Sequence, residues 1–218
     1  MNRNLFAIAF LFAAAVAVAG QPPTPTPAEK APAKSNERPA APQKAEPFDD
    51  ADVKTMAAQC VTLNTEAGII RLELYPEHAP ETVRSFLNMV ATGMLDTTAF
   101  TRTVPNFVIQ GGDLYSREGE VTYKIGMRAR KVLPDEPNKL LHERGIISMA
   151  RGDEANTATT HFFILVADAP TLDNKFAAFG RVTEGMDIVD AINKAKATDE
   201  KPEKPVRIKK AAAALCGS

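Results

Sequence analysis

The chain has 218 residues, 44% of them apolar and 24% charged, with a net charge of −1. That length suits one domain with appendages, and the near-neutral balance excludes the strong basic field that holds nucleic acid or an anionic membrane. Its two cysteines, Cys60 and Cys216, are too few for a disulfide scaffold. With no CxxC pair and no HExxH around His78, His142 or His161, no metal site is predicted.

Residues 1–20 read as a signal peptide. Arg3 supplies a positive start, Leu5 to Ala19 is an unbroken apolar run, and Ala17-Val18-Ala19 is a small-x-small cleavage pattern. The run is short of the roughly twenty residues that span a bilayer, so no stable membrane insertion is expected after cleavage. This predicts export to a bacterial periplasm or the exterior. Residues 21–58 read as a Pro/Ala-rich disordered linker, because eight of the 16 prolines fall between Pro22 and Pro47. The globular domain is expected at 59–218.

Within it, Val61 and Leu63 alternate with Thr62 and Asn64, which predicts a strand. Ile70, Leu72 and Leu74 repeat that pattern after the turn at Glu66-Ala67-Gly68. Pro80 and Gly93 bracket a helix whose apolar stripe is Val83, Phe86, Leu87 and Val90. Short strands are predicted at 99–103, 107–110, 145–150, 161–166, 177–182 and 206–210, with a second helix at 186–194. Many short strands and two helices predict an all-β fold, a closed antiparallel barrel of eight strands capped by those helices. The basic stretch from Lys194 to Lys210 is interleaved with Asp199, Glu200 and Glu203 and reads as a solvated face.

The most informative segment runs from Phe100 to Asp113, with Arg102, Phe107 and then Gln110-Gly111-Gly112-Asp113. It resembles the cyclophilin signature, Phe-His-Arg-x-x-x-x-Phe-x-x-Gln-Gly-Gly-Asp. Four further segments resemble cyclophilin motifs in the same order: Gly145 to Arg151, Ala158 to Ile164, Leu172 to Lys175, and Phe179 to Met186. The resemblance covers residues 61–210 and implies a cyclophilin-like barrel with peptidyl-prolyl cis-trans isomerase activity on proline-containing polypeptide segments. It implies no cofactor.

By the same resemblance, Arg102 is the central catalytic residue, and Gln110 hydrogen-bonds it or the substrate carbonyl. Phe107, Val108, Phe163 and Leu172 line a proline pocket, with Thr171 and Phe176 at its rim. Ala150 and the backbone of Arg151 flank the residue before proline. Several positions depart from the family pattern. Thr101 replaces histidine, Thr171 stands where a tryptophan or phenylalanine is usual, Phe176 replaces histidine or tyrosine, and His161 replaces glutamine. A basic segment at 114–133 replaces a glycine-rich stretch. The departures at Thr171 and Phe176 and the missing glycine-rich stretch favour a rival function, a non-catalytic peptide-binding module or chaperone with the same fold, whereas Arg102, Phe107, Gln110 and Phe163 favour the enzyme. The fold also implies that the first and last strands are antiparallel neighbours. That would bring Cys60 near Cys216, and export would let them form a disulfide.

Overall fold

The computed structural model describes residues 45–217. The expected signal peptide and the expected linker up to residue 44 lie outside them. Residues 45–58, also expected to be linker, are packed. Asp52 caps helix α1 (Val53–Ala57), its side chain accepting from Thr55 N, and Met56 is fully buried. Arg84 Nη1 donates to the carbonyls of Phe48 and Ala51 at 2.8 and 2.7 Å, and Phe48 N donates to Asn88 Oδ1 at 2.8 Å. The expectation of a disordered linker does not hold for residues 45–58. Their proline content ends at Pro47, and Phe48 and Met56 supply apolar surface that a linker lacks.

Ten strands follow: β1 (Gln59–Thr65), β2 (Ile69–Leu74), β3 (Arg102–Val104), β4 (Val108–Gly111), β5 (Ile146–Met149), β6 (Phe162–Leu165), β7 (Ala178–Glu184), β8 (Ala197–Thr198), β9 (Lys201–Pro202) and β10 (Ile208–Leu215). Three further helices are α2 (Pro80–Ala91), α3 (Tyr123–Ala129) and α4 (Met186–Asn193). The two expected helices are α2 and α4; α1 and α3 are additional. Helix α2 starts at Pro80 without a side-chain cap of its own. Glu136 caps it from a distance, accepting from Glu81 N at 3.0 Å and Thr82 N at 2.8 Å. A carboxylate there also suits the positive end of the helix dipole.

Eight strands form one antiparallel sheet in the order β10-β1-β2-β7-β5-β6-β4-β3, and β8 pairs with β9 in a separate hairpin. The expected closed barrel is corrected to a curled, open sheet. Its edges β3 and β10 share no ladder, and the seam beside them carries an isolated bridge between Ala99 and Arg207. Ahead of β3 the seam is crossed by backbone bonds from Thr97 N to Ile208 O, Ile208 N to Thr98 O and Phe100 N to Val206 O, at 2.7, 2.7 and 2.9 Å. At β3 itself the facing chain is folded into the β8–β9 hairpin, which meets the edge only where Thr103 N donates to Glu200 O at 2.9 Å, so no ladder closes the sheet.

Alternation divides the side chains between two apolar clusters. The main core holds Val61 and Leu63 of β1, Ile70 and Leu72 of β2, and Ile109, Phe162 and Phe179 beneath α2. Phe86 of α2 packs against Phe162 at 5.4 Å and Phe179 at 5.2 Å between ring centroids, separations that suit edge-on and tilted aromatic pairs. A smaller cluster holds Val108, Ile146, Phe163, Leu165 and Ala178. Successive residues of β6 thus serve different clusters, which is why all four are buried.

Candidate active site

Three neighbouring strands set the site. Arg102 of β3 lies opposite Gln110 of β4, and Gln110 lies opposite Phe163 of β6. Directly opposed residues project to the same face of a sheet, so a cation, an amide and an aromatic ring stand in one row. Val108, two residues before Gln110, shares that face. The Gln-Gly-Gly-Asp run has a local cause. A side chain at Gly111 would press on Phe100 and Phe162. Gly112 has φ +87, and a Cβ there would stand 2.2 Å from Thr160 O. Only glycine combines that conformation with so close an approach. Asp113 then accepts from Tyr115 N at 2.9 Å and turns the chain away.

A concave pocket of about 160 Å³ opens on this face. It is lined by Arg102 and Gln110, by Phe107, Val108, Phe163, Leu172 and Phe176, and by Ala150 and Arg151. Phe163 and Phe176 meet edge-to-face, 6.0 Å between centroids. The Arg151 side chain covers the other ring, its guanidinium 5.0 Å from the Phe176 centroid, a cation–π arrangement. Arg151 also donates to the carbonyls of Gly152 and Lys175, at 2.9 and 3.3 Å, and pairs with Asp135 at 3.3 Å without a well-aligned hydrogen bond. It therefore enters through its side chain as well as the backbone expected from sequence. Thr171 lies on the exposed turn Pro170–Leu172 and does not line the pocket, whereas its neighbour Leu172 does.

The guanidinium of Arg102 is held on two sides. Nη1 donates to Gln110 Oε1 at 3.2 Å, and Nε donates to Glu200 Oε2 at 2.6 Å. The turn carrying Phe107 is braced from α4. Asn193 Nδ2 donates to Val104 O and Val108 O at 2.8 and 2.9 Å, and its Oδ1 accepts from Asn106 N at 3.1 Å. The result is a guanidinium held at two nitrogens beside an apolar hollow, with the second cation, Arg151, laid over the Phe176 ring.

A family model described as cyclophilin type peptidyl-prolyl cis-trans isomerase matches residues 60–213. The chain is 40% identical to the peptidyl-prolyl cis-trans isomerase cypE of Dictyostelium discoideum over 72% of its own length and 99% of that protein. It is 36% identical to peptidyl-prolyl cis-trans isomerase A of Dickeya dadantii, over 69% of this chain and 82% of that one. A solved cyclophilin type isomerase of Cryptosporidium parvum superposes with a TM-score of 0.63 at 26% identity, covering 72% of this chain and 97% of that one. The chain belongs to the cyclophilin family. It is an enzyme of that family's activity, a peptidyl-prolyl cis-trans isomerase.

Within this cyclophilin the departures from the family pattern sit around the pocket or beyond it. Thr101, in place of histidine, donates its backbone N–H to Gln110 O at 3.0 Å and continues the β3–β4 ladder. The peptide carbonyl of His161 accepts from Ala150 N at 2.9 Å. Burial pushes its imidazole pKa down, opposed by the charge of Asp113. The segment 114–133 folds as a short 3-10 turn and α3, and one of its five basic residues, Arg128, is buried. Sequence reasoning missed Asn193 and Glu200. Asn193 carries no signal beyond a polar residue near a helix end. Glu200 lies in a turn with no glycine to mark it.

Proposed function

We propose that this cyclophilin accelerates X-Pro rotation in exposed segments of exported polypeptides, with Arg102 as the donor to the twisted amide. The observation that carries this reading is a guanidinium fixed at two nitrogens beside an apolar pocket. Rotation about the X-Pro bond is slow because the planar amide loses resonance, a barrier of about 18–20 kcal/mol. As the bond twists, the proline nitrogen becomes pyramidal and gains a lone pair. A donor preorganised toward that lone pair binds the transition state more strongly than the planar ground state, which is the condition for catalysis. Arginine suits the role because it stays charged and presents a rigid fork.

Phe163, Phe107, Val108 and Leu172 hold the proline ring by apolar burial while the preceding residue rotates past Ala150. No proton is transferred and no covalent bond is broken. The export reading draws its support from residues 1–20 and from the bond between Cys60 and Cys216, since disulfides persist in oxidising compartments.

Arg102→Ala tests the donor role. Its kcat/KM in a protease-coupled or NMR-exchange assay should fall about 100- to 1000-fold, the cost of one preorganised donor, roughly 3–4 kcal/mol. Its thermal midpoint should stay within a few degrees of wild type. Undiminished activity would remove Arg102 from the mechanism.

A further inference from the structure

We infer that Glu200 is a positioning residue for the isomerisation, holding the guanidinium of Arg102 by its Nε so that the outer end of the fork faces the pocket. This rests on the reading of Arg102 as the donor. Thr198 pairs with Lys201, so β8 and β9 are joined by a two-residue loop, Asp199-Glu200. Both residues are left-handed, with φ of 49° and 64°. Loops of this geometry usually use Asn-Gly or Asp-Gly, because two positive φ angles are costly for other side chains. A glutamate here is locally unfavourable.

What it gains in stability is small. The Arg102–Glu200 pair is exposed, 41% and 46% by side chain, and exposed ion pairs contribute little to folding. Strain retained without a matching return in stability points to a functional constraint.

The geometry supplies one. Glu200 O accepts from Thr103 N at 2.9 Å, which seats the loop against β3 one residue from Arg102. Pro202 is buried, and Lys196 pairs with Glu203 at 2.7 Å across the base of the hairpin. The Glu200 carboxylate then takes Nε at 2.6 Å while Gln110 takes Nη1 at 3.2 Å. Two contacts to different nitrogens fix the plane of the guanidinium as well as its position. Among the described residues Nη2 makes no hydrogen bond, so that nitrogen remains for the substrate. An unanchored arginine would spread over many rotamers, and loss of orientation reduces rate far more than it reduces ground-state binding.

The test uses the full chain with three variants: Glu200→Asn, Glu200→Gln, and Glu200→Asn combined with Arg102→Ala. Asparagine tolerates the left-handed turn but is one methylene too short to reach Nε, so the hairpin should fold without the anchor. NMR exchange on a proline peptide should show kcat reduced about tenfold for Glu200→Asn, with KM within about twofold. The Arg102 Nε–H resonance should move upfield and exchange faster with water. Glu200→Gln keeps a neutral acceptor at the right length and should lie between the two. With Arg102→Ala already present, Glu200→Asn should cost nothing more. Wild-type kcat in Glu200→Asn, a loss confined to KM, or an equal loss in both backgrounds would each overturn the inference while leaving Arg102 in place. A fully active Arg102→Ala would instead bring down the donor reading, and this inference with it.

Discussion

His142 is 1% exposed, yet both of its ring nitrogens are engaged. Nδ1 lies 3.2 Å from Asp173 Oδ1 and Nε2 lies 3.2 Å from Ser148 Oγ, while the backbone N–H donates to the same Asp173 oxygen at 2.8 Å. Asp173 directly follows Leu172, so this buried network ties the pocket's rim turn to β5. Burial pushes the His142 pKa below the ordinary histidine value, against the pull of Asp173. The sign of the consequence is fixed by linkage. The unfolded chain takes up the proton near pH 6.5 whereas the folded state resists it, so the unfolded state binds more protons as the pH falls. Stability from this site is complete above about 6.5 and declines as the pH drops toward the lower folded value; His161 is shifted in the same direction. Urea midpoints measured between pH 7.5 and 5.5 should therefore fall on acidification, and His142→Gln should flatten that slope. A midpoint independent of pH across the window would contradict the burial argument.

The basic segment 114–133 is likewise tied to the core through one buried polar side chain. Its five basic residues suggest a charged surface, and part of it is one: Tyr123 of α3 is 83% exposed beside Lys124. Arg128 instead points inward. Its Nη2 donates to Ser85 O and Oγ at 2.7 and 3.0 Å and its Nη1 to Glu46 Oε2 at 2.8 Å, which joins α3, α2 and the stretch before α1. Removing one partner of a buried ion pair costs about 3–5 kcal/mol, because the other charge is left uncompensated. Glu46 is less buried than Arg128 and can turn toward water, which places Arg128→Ala near the lower figure. Denaturant unfolding should show that loss, with kcat/KM of the folded fraction unchanged. A variant as stable as wild type would show that the segment is not anchored through this residue.

The regular elements were readable because period and punctuation coincide in them. Val61 and Leu63, Ile70 to Leu74, and the stripe of α2 each carry their burial in their spacing. Helix α3 and the β8–β9 hairpin were not readable. Seven residues give α3 too little periodicity, and the hairpin turns on Asp199-Glu200 where sequence rules expect glycine or asparagine. Motif order carries the row Arg102, Gln110 and Phe163, which stand opposite one another on β3, β4 and β6, and Val108 on the same face; Phe107, Ala150, Arg151, Leu172 and Phe176 line the pocket from outside those strands. Thr171 could not be placed, because a one-residue offset in a tight turn decides whether a side chain faces inward.

For the molecule as a whole, the curled sheet has an open seam and a covalent clasp. Cys60 and Cys216 are joined, with their Cα atoms 4.9 Å apart and a sequence separation of 156. Strands β1 and β10 run antiparallel with Gln59 opposite Leu215, so the bridge sits where the first and last strands meet. In the chain-entropy model a loop of this length is worth about 5 kcal/mol of stability. Reduction, or Cys60→Ser with Cys216→Ser, should lower the unfolding free energy by up to about that amount. Isomerase activity should survive below the new transition, because neither cysteine lines the pocket. Unfolding curves that coincide with and without reductant would argue against the clasp as a source of stability.

The placement of that bond also governs how the molecule would bear mechanical load. Traction on the chain just outside Cys60 and Cys216 passes through the sulfur bond, and the span between them stays slack. With the bond reduced, the same traction would peel β10 from β1 one hydrogen-bonded rung at a time, starting at Gln59 and Leu215 and running toward Thr65 and Ile208. That is the weakest way to pull a sheet apart. The redox state of two sulfurs thus decides whether tension reaches the strands at all.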